Sequence, residues 1–179
     1  RGQARRRREG VERGLSPGRA AGLGHDRRDD VHQLRDARDG HAVGVVEQRD
    51  QQVADDHRVV RDGLCYLLSQ EPDIEIVGEA GDGRQTVHVV AATRPDVLLL
   101  DLYMPGSGGH AVLAALRDAP HRPAVVVLTS ATGDEHLVRA MHAGATSYLL
   151  KTAPAEDVIT AIRDALAGNP WMPPIPASA

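Results

Sequence analysis

The chain has 179 residues, 41% of them apolar and 26% charged, with a net charge of −4; that suffices for one good core and is too little for two large domains. Aromatic residues make up only 2% and one cysteine, Cys65, is present, which excludes an aromatic platform for single-stranded nucleic acid, a disulfide framework and a cysteine-based zinc site. No apolar run approaches the ~20 residues of a membrane span, so the expectation is a cytoplasmic protein with no membrane partner.

Residues 1–50 carry 12 Arg and a net charge of +3, whereas residues 51–179 carry −7. Between residues 1 and 40 the aliphatics (Val11, Leu15, Leu23, Val31, Leu34) are sparse and follow no period of 2 or 3.6, which leaves little apolar area to offset ordering entropy. Residues 1–50 are therefore read as an Arg-rich, disordered or non-native extension, 51–168 as the folded domain, and 169–179 as a Pro-rich tail.

From about residue 53 the pattern becomes regular. His57 to Ser69 puts Val60, Leu64, Leu67 and Leu68 on one helical face. A short strand over Ile74 to Val77, a turn at Gly81-Asp82-Gly83 and a helix from Arg84 to Thr93 follow. Val97 to Leu100 is an unbroken aliphatic run, as expected of a strand covered on both faces. A glycine-rich turn from Pro105 to Gly109 leads to a helix over Ala111 to Arg117. Then come a strand over Ala124 to Leu128, a helix over Asp134 to His142 capped at Gly144, a strand over Ser147 to Leu150 and a helix over Ala155 to Ala167. Strict alternation with short connections predicts an α/β fold, a doubly wound parallel sheet of five strands with helices on both faces. In such sheets functional groups collect outside the carboxyl ends of the strands.

Four strand ends carry polar chemistry. Asp55-Asp56 precede the first helix, Asp101 follows Leu100, Thr129 follows Leu128, and Lys151, the only lysine in the chain, follows Leu150. An aspartate after a strand is often no more than a helix cap or turn former; the combination is what points to a site. Three carboxylates form a hard, oxygen-rich site suited to Mg²⁺, the ammonium offers a point charge for an anion, and the hydroxyl a directed hydrogen bond. A carboxylate in that company can attack phosphorus and hold the acyl phosphate. Pro105 to Gly109 lacks the Gly-Lys-Ser/Thr of a P-loop. Cys65 reads as a small core residue, and His57, beside the acid pair, as a modulator of metal or phosphate access.

The stretch from about Val53 to Gly168 resembles the receiver domain of two-component response regulators, and the LuxR-type subgroup in particular. The motifs are VADDHRVVRDGL, PDVLLLDLYMPGSGG, VVVLTSA and AGATSYLLKTAPAEDV, with Asp56, Asp101, Thr129 and Lys151 separated by 45, 28 and 22 residues. The resemblance implies a flavodoxin-like strand order of 2-1-3-4-5 and a phosphorylation-dependent signalling switch. Asp101 would be the phosphoacceptor. Asp56, Asp101 and the backbone carbonyl of Tyr103 would hold Mg²⁺ directly, and Asp55 through water. Thr129 and Lys151 would bind phosphoryl oxygens, and Tyr148 would be the aromatic that turns inward as Thr129 shifts. The implied partner is a sensor histidine kinase, with a homodimer allowed. A phosphorylation-independent pseudo-receiver and an aspartate-nucleophile phosphatase are the alternatives; the latter usually has a second Asp two residues after the nucleophile, where Tyr103 stands here.

Two departures from the family pattern stand out. In place of an aliphatic first strand the chain has Glu47 to Gln52, so Gln51 and Gln52 would point to opposite faces, at least one meeting the core, and the strand is expected to pair poorly. With Arg1 as the first residue, this suggests that the segment before about 53 is not the native partner of the domain, as a reading-frame slip near the acid pair would make it. The subgroup's helix-turn-helix cannot fit in the 12 residues from Gly168 to Ala179, and no DNA binding by this chain is expected.

Overall fold

The computed structural model describes residues 47–106 and 108–172; the expectations for residues 1–46 and 173–179 lie outside them. Five strands and five helices alternate: β1 (Arg49–Ala54), α1 (Arg58–Leu68), β2 (Ile74–Ala80), α2 (Gly83–Thr93), β3 (Val97–Leu100), α3 (Gly108–Arg117), β4 (Ala124–Thr129), α4 (Asp134–His142), β5 (Ser147–Leu150) and α5 (Ala155–Leu166). All strands are parallel, in the order β2-β1-β3-β4-β5, so the expected fold and strand order are observed.

The two faces of the sheet follow from the two-residue period of each strand. Leu98 and Leu100 of β3 join Val125 and Val127 of β4 beneath Val90 of α2, Val112 and Leu116 of α3, and Leu137 of α4. Val97 and Leu99 join Val53, Val126, Leu128 and Leu149 beneath Leu68 of α1 and Val158 and Ile162 of α5. Cys65 packs on this second cluster. Burial, with Glu79 nearby, pushes its thiol up to about 11, in keeping with a core residue rather than a nucleophile.

Three boundaries differ from those expected by more than one residue. β2 runs on to Ala80, and α3 starts at Gly108, inside the glycine-rich turn. β1 begins at Arg49 and is not poorly paired: all six residues face β2, with a register shift between Gln51 and Gln52, and its last four face β3. Both glutamines are fully buried. Gln52 donates Nε2–H to the Thr86 carbonyl at 3.2 Å, while neither polar side-chain atom of Gln51 has a partner among the described residues. The backbone ladder thus forms with neighbours of the right shape even where the side chains are wrong for a dry interior.

Candidate functional site

The register of the central strands places the acids. Ala54 pairs with Leu100, and the ladder runs one step further: the Asp101 N–H donates to the Ala54 carbonyl at 2.9 Å, and the Asp55 N–H to the Ala80 carbonyl at 3.0 Å. Asp55 and Asp101 therefore leave adjacent strands at the same height, at the point where the strand order reverses. Both are buried, at 1% and 2% exposure. Their carboxylates are also oriented locally. The His57 N–H donates to Asp55 Oδ1 at 2.9 Å, and the Tyr103 N–H to Asp101 Oδ1 at 3.0 Å.

β5 supplies the counter-charge. Leu150 pairs with Thr129, and the Lys151 N–H donates to the Thr129 carbonyl at 2.8 Å, which carries the lysine across to the acids. Lys151 Nζ lies 2.7 Å from Asp101 Oδ2 and 2.7 Å from Asp55 Oδ2, joining the ends of β1 and β3. Burial works against the ammonium, but its bonds to the two aspartates outweigh burial and hold its pKa above the ordinary lysine value. Thr129 is fully buried, and its Oγ1 accepts the Ala131 N–H at 3.1 Å. Tyr148 lies inward, at 3% exposure, with its hydroxyl donating to the Ala131 carbonyl at 3.2 Å. Burial, with Tyr103 nearby, raises the pKa of that hydroxyl.

Whether these residues suit a metal ion is tested by the acid oxygens. Asp55, Asp56, His57 and Asp101 each offer a ligand atom within 4.8 Å of the others. Asp55 Oδ2 and Asp56 Oδ1 are buried, and no backbone or hydroxyl donor among the described residues reaches either. Each has only an ion-pair neighbour, Lys151 Nζ for the first and His57 Nδ1, at 2.9 Å, for the second. Two buried carboxylate oxygens short of donors, beside a third carboxylate, are a donor set for a hard divalent cation. The structure thus brings Asp55, Asp56, Asp101, Thr129, Tyr148 and Lys151 to one end of the sheet. Tyr103 joins them through its backbone N–H.

Several supporting residues carry no distinct pattern in the sequence. Arg61 on α1 donates Nη1–H to the Asp55 carbonyl at 2.7 Å and Nε–H to Glu79 Oε2 at 3.0 Å, holding the acid pair from behind; it sits inside the VADDHRVVRDGL motif with nothing there to reveal its role. Gly109 is required by close approach. A Cβ on it would lie 2.4 Å from the Asp101 carbonyl oxygen and 2.7 Å from Leu102 Cα, so only glycine lets α3 start against the turn after Asp101. The Tyr103 ring reaches over to α4, where its hydroxyl hydrogen-bonds His136 Nδ1 at 3.0 Å. That contact spans 33 residues and is invisible to any local pattern.

Comparison with known proteins agrees with this geometry. The family model for the response regulator receiver domain matches residues 52–163. The chain is 42% identical over 116 residues to the transcriptional regulatory protein LiaR of Bacillus subtilis, covering 65% of this chain and 55% of that protein. It is 40% identical over 115 residues to the nitrate/nitrite response regulator protein NarL of Escherichia coli K12, covering 64% and 53%. The chain spans about half the length of these curated relatives. Among solved structures, the signal receiver domain of NarL from Mycobacterium tuberculosis superposes with a TM-score of 0.66 at 32% identity, covering 69% of this chain and 99% of that one. A LuxR-family two-component response regulator from Aurantimonas sp. SI85-9A1 gives 0.68 at 29% identity, covering 71% and 91%. Among the described residues no helix is long and apolar enough to cross a membrane. With the strand order, the acid cluster and the bridging lysine in place, the chain belongs to the response regulator receiver family of two-component signalling.

Proposed function

We propose that Asp101 accepts a phosphoryl group from the phosphohistidine of a sensor histidine kinase, and that the folded domain reports this modification to a partner. The observation that carries the reading is the placement of Asp101: buried at the end of β3, beside Asp55 and within 2.7 Å of the sole lysine. Tyr103 N–H and Lys151 hold the two oxygens of Asp101, which fixes the plane from which a carboxylate oxygen attacks phosphorus. The new O–P bond forms as the N–P bond of the donor breaks, and the imidazole leaves with its electron pair. Lys151, released from Asp101, follows a phosphoryl oxygen, and Thr129 supplies a hydroxyl hydrogen bond to another.

Asp55, Asp56, Asp101 and the backbone carbonyl of Tyr103 would hold Mg²⁺. When bound, the ion supplies charge neutralisation between the carboxylates and the incoming phosphoryl oxygens. The domain catalyses only its own phosphoryl transfer, works in the cytoplasm, and makes no DNA contact itself. We keep residues 51–168 as its working part. A pseudo-receiver would be favoured by a first strand unable to seat the acid pair. β1 is paired along its length and Asp55 is fixed by its backbone and by Arg61, so nothing favours it. Incubation with acetyl phosphate and Mg²⁺ followed by intact mass tests the reading. A single phosphoryl adduct is expected in the parent and none in Asp101→Asn. An adduct that persists in Asp101→Asn overturns the assignment.

A further inference from the structure

The two acids of the turn between β1 and α1 are not fixed alike. Asp55 has the ladder bond from its N–H to the Ala80 carbonyl, accepts the His57 N–H on its carboxylate, and leaves only 2% of its side chain exposed. Asp56 lies past the end of β1. Its side chain is 23% exposed, and among the described residues its Oδ1 has only the His57 imidazole beside it. The direction of the Asp56 carboxylate is therefore set by the main chain on either side of it.

One residue holds the carbonyls before and after Asp56. The Arg61 N–H donates to the His57 carbonyl at 3.0 Å, and its Nη1–H donates to the Asp55 carbonyl at 2.7 Å. The peptide group between those two is fixed by the His57 N–H on Asp55 Oδ1. A bond from an ionised guanidinium is charge-assisted and stronger than a neutral one. The guanidinium is pinned in turn by Glu79 of β2, whose Oε2 accepts its Nε–H at 3.0 Å. Its fork thus ties the turn to the end of the neighbouring strand, which an ammonium with a single nitrogen does less well. The tie matters in this chain because two of the last four residues of β1 are glutamines, and Gln51 has no polar partner among the described residues.

We propose that Arg61 is a positioning residue for divalent-cation binding, aiming the Asp56 carboxylate at the space it shares with Asp55 and Asp101, with Glu79 as its anchor. This rests on the reading that those three carboxylates hold Mg²⁺. The ion demands near-ideal octahedral geometry, so a ligand that loses its support weakens binding although no ligand has been removed. The guanidinium's charge acts in the opposite sense, since a cation beside the site repels another. Removing Arg61 therefore tightens Mg²⁺ binding if only its charge matters, and weakens it if its hydrogen bonds position Asp56. The sign of the change separates the two.

Mg²⁺ affinity of the full chain is measured by titration calorimetry, and urea unfolding is followed in chelator on the same proteins. Arg61→Met should weaken Mg²⁺ binding ~10–100-fold, the usual cost of losing a group that orients a metal ligand. Arg61→Lys keeps the charge and one donor for the Asp55 carbonyl, and should bind between parent and Arg61→Met. Glu79→Asp keeps the charge but shortens the arm that pins the guanidinium, and should weaken Mg²⁺ binding less than Arg61→Met does. Arg61→Met that binds Mg²⁺ as tightly as the parent or more tightly overturns the positioning role, and a loss of unfolding stability alone makes Arg61 structural. Should Arg61→Met fail to fold, the two charge-keeping variants carry the test, and parent-like affinity in both overturns the role. A parent that binds no Mg²⁺ overturns the metal reading and the positioning role together.

Discussion

β1 and β3 lie side by side at the centre of the sheet and end on the same chemistry, yet they are built in opposite ways. β3 is Val-Leu-Leu-Leu, buried on both faces with apolar side chains throughout. β1 is Arg-Asp-Gln-Gln-Val-Ala, and at equivalent depth it buries two amides. β3 contributes to its own stability by the area it removes from water. β1 is held largely by others: by the ladders on both sides, by Arg61 on the Asp55 carbonyl, and by Asp96 Oδ2, which accepts the Asp50 N–H at 3.0 Å. The lesson is that a strand can be positioned by its neighbours' side chains, provided its own last residues have the shape the site requires.

The largest expected effect lies in β3. Leu99→Ala removes a side chain packed between Val53 and Val126 and should cost about 2–5 kcal/mol in urea unfolding. Gln51→Ala should cost far less, since the lost stem is offset by the removal of an unpartnered amide. Equal losses from the two would break the contrast.

Next comes the bridge between the two strand ends. Lys151→Met leaves Asp55 and Asp101 facing each other without their shared ammonium. In a chelator at pH 7 we expect a loss of up to about 3 kcal/mol, the low end for removing one partner of a buried pair because the lysine side chain keeps some exposure. Saturating Mg²⁺ should recover most of it, as a second counter-charge for the same carboxylates. A loss untouched by Mg²⁺, measured by thermal unfolding with and without the ion, would make Lys151 structural rather than part of an ion site.

A smaller effect of opposite sign tests β1 itself. Gln51→Leu replaces an amide that has no partner and should stabilise the domain by ~1–3 kcal/mol. Gln52→Leu should gain less, because it gives up the Nε2–H bond to the Thr86 carbonyl. A neutral or destabilising Gln51→Leu would mean that the register of the amino-terminal half differs in solution.

The smallest effect concerns the far end of β1, where the Arg49 N–H donates to the Asp73 carbonyl at 2.9 Å. Arg163 of α5 clamps Asp73 and Glu71 at 2.7 Å each, and the Arg163 guanidinium holds the Asp73 carboxyl below the usual aspartate range. A lowered folded pKa means stability that is present above the unfolded value and lost as pH falls through the folded one. Arg163→Met should therefore cost no more than ~1 kcal/mol at neutral pH. Parent and variant should begin to converge as pH falls below the ordinary aspartate pKa of about 3.9 and meet only below the lowered folded value, as followed by acid unfolding. A gap that widens in acid would show that the clamp acts through packing instead.

Much of the site was legible in the residues because strand ends are where an apolar run stops. Val97–Leu100 and Ser147–Leu150 have the bounds expected from sequence, and Asp101 and Lys151 follow them directly. The acid pair was legible in the same way, although the strand before it was not, since Gln-Gln carries no apolar signal. Arg61, Gly109 and His136 escaped because their partners are an Asp55 carbonyl, an Asp101 carbonyl and a Tyr103 hydroxyl, all set by packing rather than by spacing. Trp171 escaped for a related reason. A proline-flanked residue after the last helix reads as linker, and only the open edge of β5, where the Tyr148 N–H donates to its carbonyl, turns it into a strap.

The sequence by itself determined the α/β alternation, the parallel sheet and the polar residues at its carboxyl ends, because hydrophobic period and chain polarity are local properties and parallel strands must deliver their ends to one side. Only the tertiary structure decided that Asp55 and Asp101 stand at equal height, that one ammonium serves both, that Tyr148 links Ala131 to Trp171, and that the buried amides of β1 are tolerated. Those depend on register between strands far apart in the chain. A one-residue slip would turn every side chain to the opposite face, and it is the summed packing of two apolar layers that forbids it.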